Sequence, residues 1–282
     1  MIVIPCHNTG RPYVVDCVQS IVAHMPAARI LVVDTASPDK SYIPTVQALG
    51  AAVDELPENV WDWGAFWHAY YAYPDEQFFY WLHDSTVVNQ DLTWAERRPL
   101  TVLATLKQWE GCMPNHILCT LRLLKQADYP MPDTFNGVFA SMMFCQRAVL
   151  DRLVARGLDR IRVKERIEGE SCERILGIGL EGEGFDLLRL AITTRSRLCD
   201  AHSDAPVHKM HGKRHTPQEF SEHERLTRAV ALFGWTHGLR QCGSCGKPFG
   251  SEFTAHARWE VCASGVMWTF FCADHEMPAK ET

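Results

Sequence analysis

Two wholly apolar runs near the start of the chain, Ile2-Val3-Ile4-Pro5 and Ile30-Leu31-Val32-Val33, constrain the fold more than any other feature. Runs with no polar face suit strands covered on both sides. Between them Val14, Val15, Val18, Ile21 and Val22 recur at helical spacing, and Pro12 suits the first turn of that helix. A strand, a helix and a strand in so short a span make a crossover unit, which joins parallel neighbours. The expected fold class is therefore α/β, a mostly parallel sheet flanked by helices.

The unit repeats in weaker form. A helix from Ile43 to Leu49 leads to a strand over Ala51–Leu56, and an aromatic-rich helix opening at Trp61 leads to Phe78-Phe79-Tyr80-Trp81-Leu82. Further on, the pattern predicts helices over Thr101–Trp109, Ile117–Gln126 and Arg147–Arg156, with strand character within Phe135–Cys145. It also predicts a helix start at Glu170–Gly177, turns over Gly177–Gly184, a strand near Leu187–Thr193 and a helix from Glu219 to Phe233.

Two of the apolar strands end in an aspartate, Asp34 and Asp84, and in a parallel sheet those ends share one edge. Ligands of open α/β sheets bind outside the carboxyl ends of the strands. A carboxylate there can hold a divalent metal that in turn holds phosphate oxygens, or it can simply cap a turn.

The 282 residues suffice for one large domain with a small appendage, and the composition changes near Gly234-Trp235. The expected division is 1–235 and 236–282. No apolar stretch approaches the roughly 20 residues of a membrane span. No basic leader precedes the first strand, so a cytoplasmic location is expected. The net charge of −6 argues against a surface coated in basic residues, yet residues 147–166 carry seven Lys or Arg against three acids.

Seven of the 11 cysteines are scattered between Cys6 and Cys199 and read as reduced thiols. The other four cluster near the carboxyl end. Cys242 and Cys245, and later Cys272 and His275, repeat a two-residue gap across a stretch read as a hairpin, Arg258–Cys262 and Val266–Phe271. That is the ligand spacing of a structural zinc ribbon, with Cys262 as a spare thiol. So short a segment has little core of its own, and zinc would supply much of its folding energy.

Several segments, in this order, resemble the family 2 glycosyltransferases, inverting enzymes of the nucleotide-sugar-binding GT-A fold. They are Ile2–Asn8, Cys17–Ile21, Ile30–Asp39, Gly64-Ala65, His83-Asp84-Ser85, Asn136-Gly137 with Ser141–Phe144, and Glu173–Gly177. The resemblance covers roughly residues 1–215. It implies that Pro5, Asn8 and Gly64 lie at the nucleotide and that Asp34 faces its base. Asp84 would hold Mn²⁺ or Mg²⁺ at the diphosphate, and Glu173 would deprotonate the acceptor hydroxyl. Two departures stand out. Ser85 and Thr86 follow Asp84, leaving one acid in the aspartate motif, and Cys172 precedes Glu173 where the family more often has an acidic pair. His211 is the histidine expected to complete the metal shell, and Lys209, Lys213 and Arg214 beside it are expected to meet the diphosphate.

The expected function is transfer of a sugar from a nucleotide-diphosphate donor to an acceptor: a glycan, a small molecule, or a hydroxylated base in DNA. The DNA case rests on the zinc-ribbon spacing, the basic stretch 147–166 and the aromatic helix at Trp61–Trp67. The alternative is a non-catalytic zinc-ribbon adaptor for nucleic acid or protein, with an α/β domain that binds a nucleotide.

Overall fold

The computed structural model describes residues 1–10, 12–107, 114–132, 134–199 and 204–210, and the backbone of two further strands, 255–262 and 265–272. The chain separates into two compact units, Met1–His215 and Thr216–Thr282.

The first unit opens with β1 (Ile2–Cys6), α1 (Tyr13–His24), β2 (Ile30–Thr35), α2 (Ile43–Ala48), β3 (Ala52–Leu56), α3 (Trp61–Ala72) and β4 (Phe78–Trp81). It continues through β5 (Thr86–Val88), β6 (Leu100–Val102), β7 (Thr105–Lys107), α4 (Pro114–Gln126), β8 (Asn136–Val138) and β9 (Met143–Gln146). Then come α5 (Arg147–Ala155), α6 (Arg166–Gly182), the single turns α7 (Leu187–Leu190) and α8 (Arg195–Leu198), and β10 (Val207–Lys209). The main sheet runs β3-β2-β1-β4-β9-β6. β1, β2, β3 and β4 are parallel, and β9 lies antiparallel to both β4 and β6.

Alternation along the strands builds two cores. Val3, Leu31, Val33, Phe79, Trp81, Met143 and Cys145 face one side, with α3 and α6. Ile2, Ile4, Ile30, Val32, Tyr80, Phe144 and the buried face of α1 fill the other. A sheet covered on both faces explains why β1, β2 and β4 carry no polar stripe. The aromatics of α3 belong to the first core. Phe66 stacks on Trp81 at 3.9 Å between ring centroids, and Trp63 and Trp67 meet edge to face at 5.6 Å. Trp63, Phe66 and Trp67 are buried, so these rings are not available to stack on bases.

Three arginines of the basic stretch 147–166 are engaged within the protein. Arg147 donates to the Tyr70 and Tyr73 carbonyls, Arg156 pairs with Glu183, and Arg166 pairs with Glu170. The buried rings of α3 are therefore core residues of this unit.

Three local expectations are corrected. Leu100–Lys107 is not helical but forms β6 and β7, because Leu100 and Val102 alternate and β9 offers an open edge. Leu187–Thr193 begins as a helical turn capped by Asp186, whose carboxylate accepts from the Arg189 amide. Helix α6 starts well before Glu170. Glu165 and Glu168 form a reciprocal capping box at its amino end, with Glu165 in the place usually taken by Ser or Thr.

The described part of the second unit is an antiparallel hairpin, β11 (Ala255–Cys262) and β12 (Gly265–Cys272). Its register runs from Ala255 opposite Cys272 to Cys262 opposite Gly265. This is the hairpin expected between the two ligand pairs, with Cys272 closing its second strand. Cys242, Cys245 and His275 lie outside the described residues, as do the helix expected over 219–233 and the boundary near residue 235. Among the described residues no helix is long and apolar enough to cross a membrane.

Candidate functional site

At the carboxyl edge of the parallel strands the loop after β1 and the turn after β4 enclose a cavity of about 380 Å³. Cys6, His7, Asn8, Thr9, Pro12, Tyr13 and Asp84 line it. A larger hollow of about 470 Å³ lies around Met1, Arg29 and Glu76, where β1 begins. It is therefore remote from the edge where α/β sheets bind ligands.

The loop after β1 is fastened to the loop after β2. The Asn8 amide N–H donates to Ser37 Oγ at 2.7 Å, and the Asn8 side chain donates to the Asp39 carbonyl at 3.0 Å. His7 Nδ1 lies 2.8 Å from the Thr35 carbonyl. A carbonyl only accepts, so Nδ1 carries the proton and Nε2 of the neutral ring is an acceptor. Burial, and then the charge of Asp84, push the Cys6 thiol up to about 12, which leaves a neutral group in the wall.

Asp34 lies beneath this cavity rather than in its wall. It is fully buried, and both oxygens are engaged: Oδ1 accepts from the Ser37 amide at 3.1 Å and Oδ2 from the Tyr42 hydroxyl at 2.5 Å. Its carboxylate shapes the loop that Asn8 grips. Pro5 is enclosed within β1 opposite Val33, and Gly64 sits in α3 where a Cβ would lie 2.5 Å from that of Val60. Of the residues expected at the nucleotide, Asn8 lines the cavity, whereas Pro5, Asp34 and Gly64 support its surroundings.

A second, charged group of residues adjoins Asp84. His83 Nε2 is 2.9 Å from Asp62 Oδ2, close enough for an ion pair but poorly aligned for a hydrogen bond. On its other side His83 Nδ1 faces Lys209 Nζ at 3.5 Å. The antiparallel pairing of β10 with β5 sets Lys209 opposite Thr86, and the Met210 amide donates to the Ser85 carbonyl at 2.8 Å. Thus β10 delivers its lysine to the turn that carries Asp84.

Glu173 reaches the same region from α6. It lies two turns into the helix, and its Oε1 accepts from the Ala140 amide at 2.9 Å. Ala140 and Ser141 both have φ of 53°, left-handed backbone that costs a non-glycine residue free energy and marks a turn held under strain. A close approach fixes the helix here. A Cβ on Gly177 would lie 1.9 Å from the Asn136 carbonyl, so only glycine lets β8 cross α6. Glu181 completes the tie by accepting from the Asn136 amide and side chain at 2.9 and 2.7 Å.

The electrostatics of the group are mutual. Burial raises the Asp84 carboxyl above the usual range, with the neighbouring His83 and Lys209 opposing. Burial raises Glu173 in the same way, against Arg174, Lys209 and His83. For Asp62, 43 % exposed, burial would also raise the carboxyl, but the neighbouring His83, with Lys209, outweighs it and the shift is downward. Asp62 carries the first turn of α3, and sequence reading missed it. Its signal was an acid at a helix amino end within Trp61-Asp62-Trp63.

Among the described residues, the donors around Asp84 do not by themselves make a shell for a divalent ion. Among the described residues no three His, Cys, Asp or Glu side chains are grouped to hold a metal. His83 meets Lys209 through Nδ1 and lies beside Asp62 through Nε2, and the Lys209 ammonium acts on Asp62, Asp84 and Glu173. A dication beside Asp84 would face that ammonium as a like charge. His211, Lys213 and Arg214 lie outside the described residues.

No protein-family model matches the chain, and no curated protein matches it. Solved structures with some likeness include S. aureus TarS 1–349, at 11 % identity and a TM-score of 0.35, covering 53 % of this chain and 47 % of that one. GalNAc-T7 with UDP, GalNAc and Mn²⁺ is similar at 14 % identity and a TM-score of 0.41, covering 60 % and 39 %. The galactosyltransferase LgtC, in complex with donor and acceptor sugar analogs, is similar at 12 % identity and a TM-score of 0.43, covering 83 % and 95 %. The chain thus spans less than half the length of the first two.

Proposed function

We propose that the unit Met1–His215 transfers a sugar from a nucleotide-diphosphate donor to the hydroxyl of a glycan or small molecule, with inversion. One observation carries the reading: Asp84 borders a cavity at the carboxyl edge of a parallel sheet and adjoins a partly buried charged group containing Glu173 and Lys209. The donor nucleoside occupies the cavity walled by His7, Asn8 and Tyr13. The acceptor oxygen attacks the anomeric carbon as the carbon–oxygen bond to the diphosphate breaks. The bonding pair leaves with the diphosphate, and the acceptor proton passes to Glu173. A carboxyl raised by burial suits that task, because its pKa moves toward the working pH. The Ala140 amide holds its Oε1 in place.

For the second unit we propose one structural zinc ion on Cys242, Cys245, Cys272 and His275. The hairpin β11–β12, which ends at Cys272, supports this reading. Four protein ligands would close the site, so zinc would supply folding energy and no catalytic step. Metal analysis of the purified chain should find about one equivalent of zinc, and a content below half of that counts against the assignment.

The transferase reading is tested by release of nucleoside diphosphate from a panel of nucleotide sugars with mixed acceptors. Glu173→Gln should lower turnover by about 10²- to 10⁴-fold while donor affinity stays close to wild type. Equal turnover by the variant and the wild type would remove Glu173 as the base. No donor binding or turnover across the panel would leave a non-catalytic adaptor as the better account.

A further inference from the structure

Transfer from a nucleotide-diphosphate donor requires positive charge beside the departing diphosphate. In this chain the turn that carries Asp84 already holds one. We propose that the Lys209 ammonium, seated on His83, takes the position of the divalent cation, so that this site binds its nucleoside diphosphate without a metal. The inference rests on the transferase reading and specifies how that site meets the phosphates.

The placement is built by the fold. Lys209 lies opposite Thr86 across the β10–β5 pair, and the Met210 amide fastens the end of β10 to the Ser85 carbonyl. An ammonium has donors and no acceptor, so His83 Nδ1 must be the acceptor of the 3.5 Å contact. The ring proton then sits on Nε2, which lies 2.9 Å from Asp62 Oδ2. Lys209, His83 and Asp62 form a chain that orients the cation and leaves His83 no lone pair for a metal ion. The Phe139 ring carries Lys209 at 5.8 Å and Arg195 at 4.9 Å, which gathers a second cation at the same place.

Lysine meets phosphate as a point charge, so its removal should weaken diphosphate binding and an arginine should restore part of it. The test titrates UDP, GDP, ADP, CDP and dTDP against the full chain by calorimetry. The buffer contains equimolar zinc and no magnesium or manganese, and a second series adds manganese. Wild type, Lys209→Met and Lys209→Arg are compared, with melting curves to confirm that each is folded.

The expected result is one diphosphate that binds without manganese and changes little when it is added. Lys209→Met should weaken that binding about tenfold or more, with Lys209→Arg between the two. Binding that appears only with manganese overturns the inference and leaves the transferase reading intact. So does equal binding by wild type and Lys209→Met. Absence of binding by all five diphosphates in both series overturns the transferase reading and this inference together.

Discussion

Asp34 and Asp84 occupy related places: Asp34 is the last residue but one of β2, Asp84 lies in the turn after β4, and both strands end on one edge of one sheet. Their surroundings make them different instruments. Asp34 is fully enclosed, with the Ser37 amide and Tyr42 hydroxyl as fixed neutral donors and Lys40 at 3.9 Å. Asp84 borders a cavity and faces His83, Asp62 and the Lys209 ammonium. A carboxylate saturated by its own loop is architecture. One left partly unsatisfied at a cavity is available to a ligand.

Substitution at the two positions should separate these roles. Asp84→Asn is expected to lower transferase turnover by about 10²-fold or more with little loss of stability. Removing a charge that burial disfavours even offsets part of any lost contact. Kinetics alongside urea unfolding would check both halves, and a large fall in stability with normal turnover would erase the distinction. Asp34→Ala should destabilise by about 3 kcal/mol, since it strands the Ser37 amide and Tyr42 hydroxyl in a buried site. A loss under 1 kcal/mol would show that water replaces the carboxylate.

Gly177→Ala carries the comparison to α6. The added methyl collides with the Asn136 carbonyl, and overpacking of this kind costs about 1–3 kcal/mol. Because the same contact positions Glu173, turnover should fall beyond what the lost stability explains.

The smallest effect concerns pH. Glu173 is raised above its ordinary 4.5, first by burial, with Arg174, Lys209 and His83 opposing. As a base it must be ionised, so the acid limb of kcat/KM should lie above 4.5 and disappear in Glu173→Gln. The stability sign runs the other way. A group whose folded pKa is raised favours the folded state below its unfolded pKa, and that contribution is lost as pH rises through the folded value. An acid limb at or below 4.5 would contradict the burial of this carboxyl.

Much of the first unit was legible because its signals are local. The apolar runs at Ile2–Pro5, Ile30–Val33 and Phe78–Leu82, with a helical stripe on Val14, Val18 and Ile21, sufficed for the parallel half of the sheet. The antiparallel half was harder. Leu100–Val102 became a strand because β9 offered an edge, and β9 itself pairs with β4 from 66 residues away, Phe79 opposite Cys145. Helix α6 was entered too late, since its cap is a glutamate rather than the usual small polar residue.

At the site, Asp84, Glu173 and Lys209 could be named from residue type and order. What each does could not, because that depends on partners supplied from elsewhere in the chain. The sequence alone determined a parallel α/β frame with acids at the ends of its strands, because strand burial and crossover geometry are properties of short segments. Only the tertiary structure decided that Asp34 is sealed, that Asp62 joins His83, and that β10 brings Lys209 to Asp84's turn. Charge and solvation are set by neighbours in space, and those neighbours lie as far apart in sequence as residues 62 and 209.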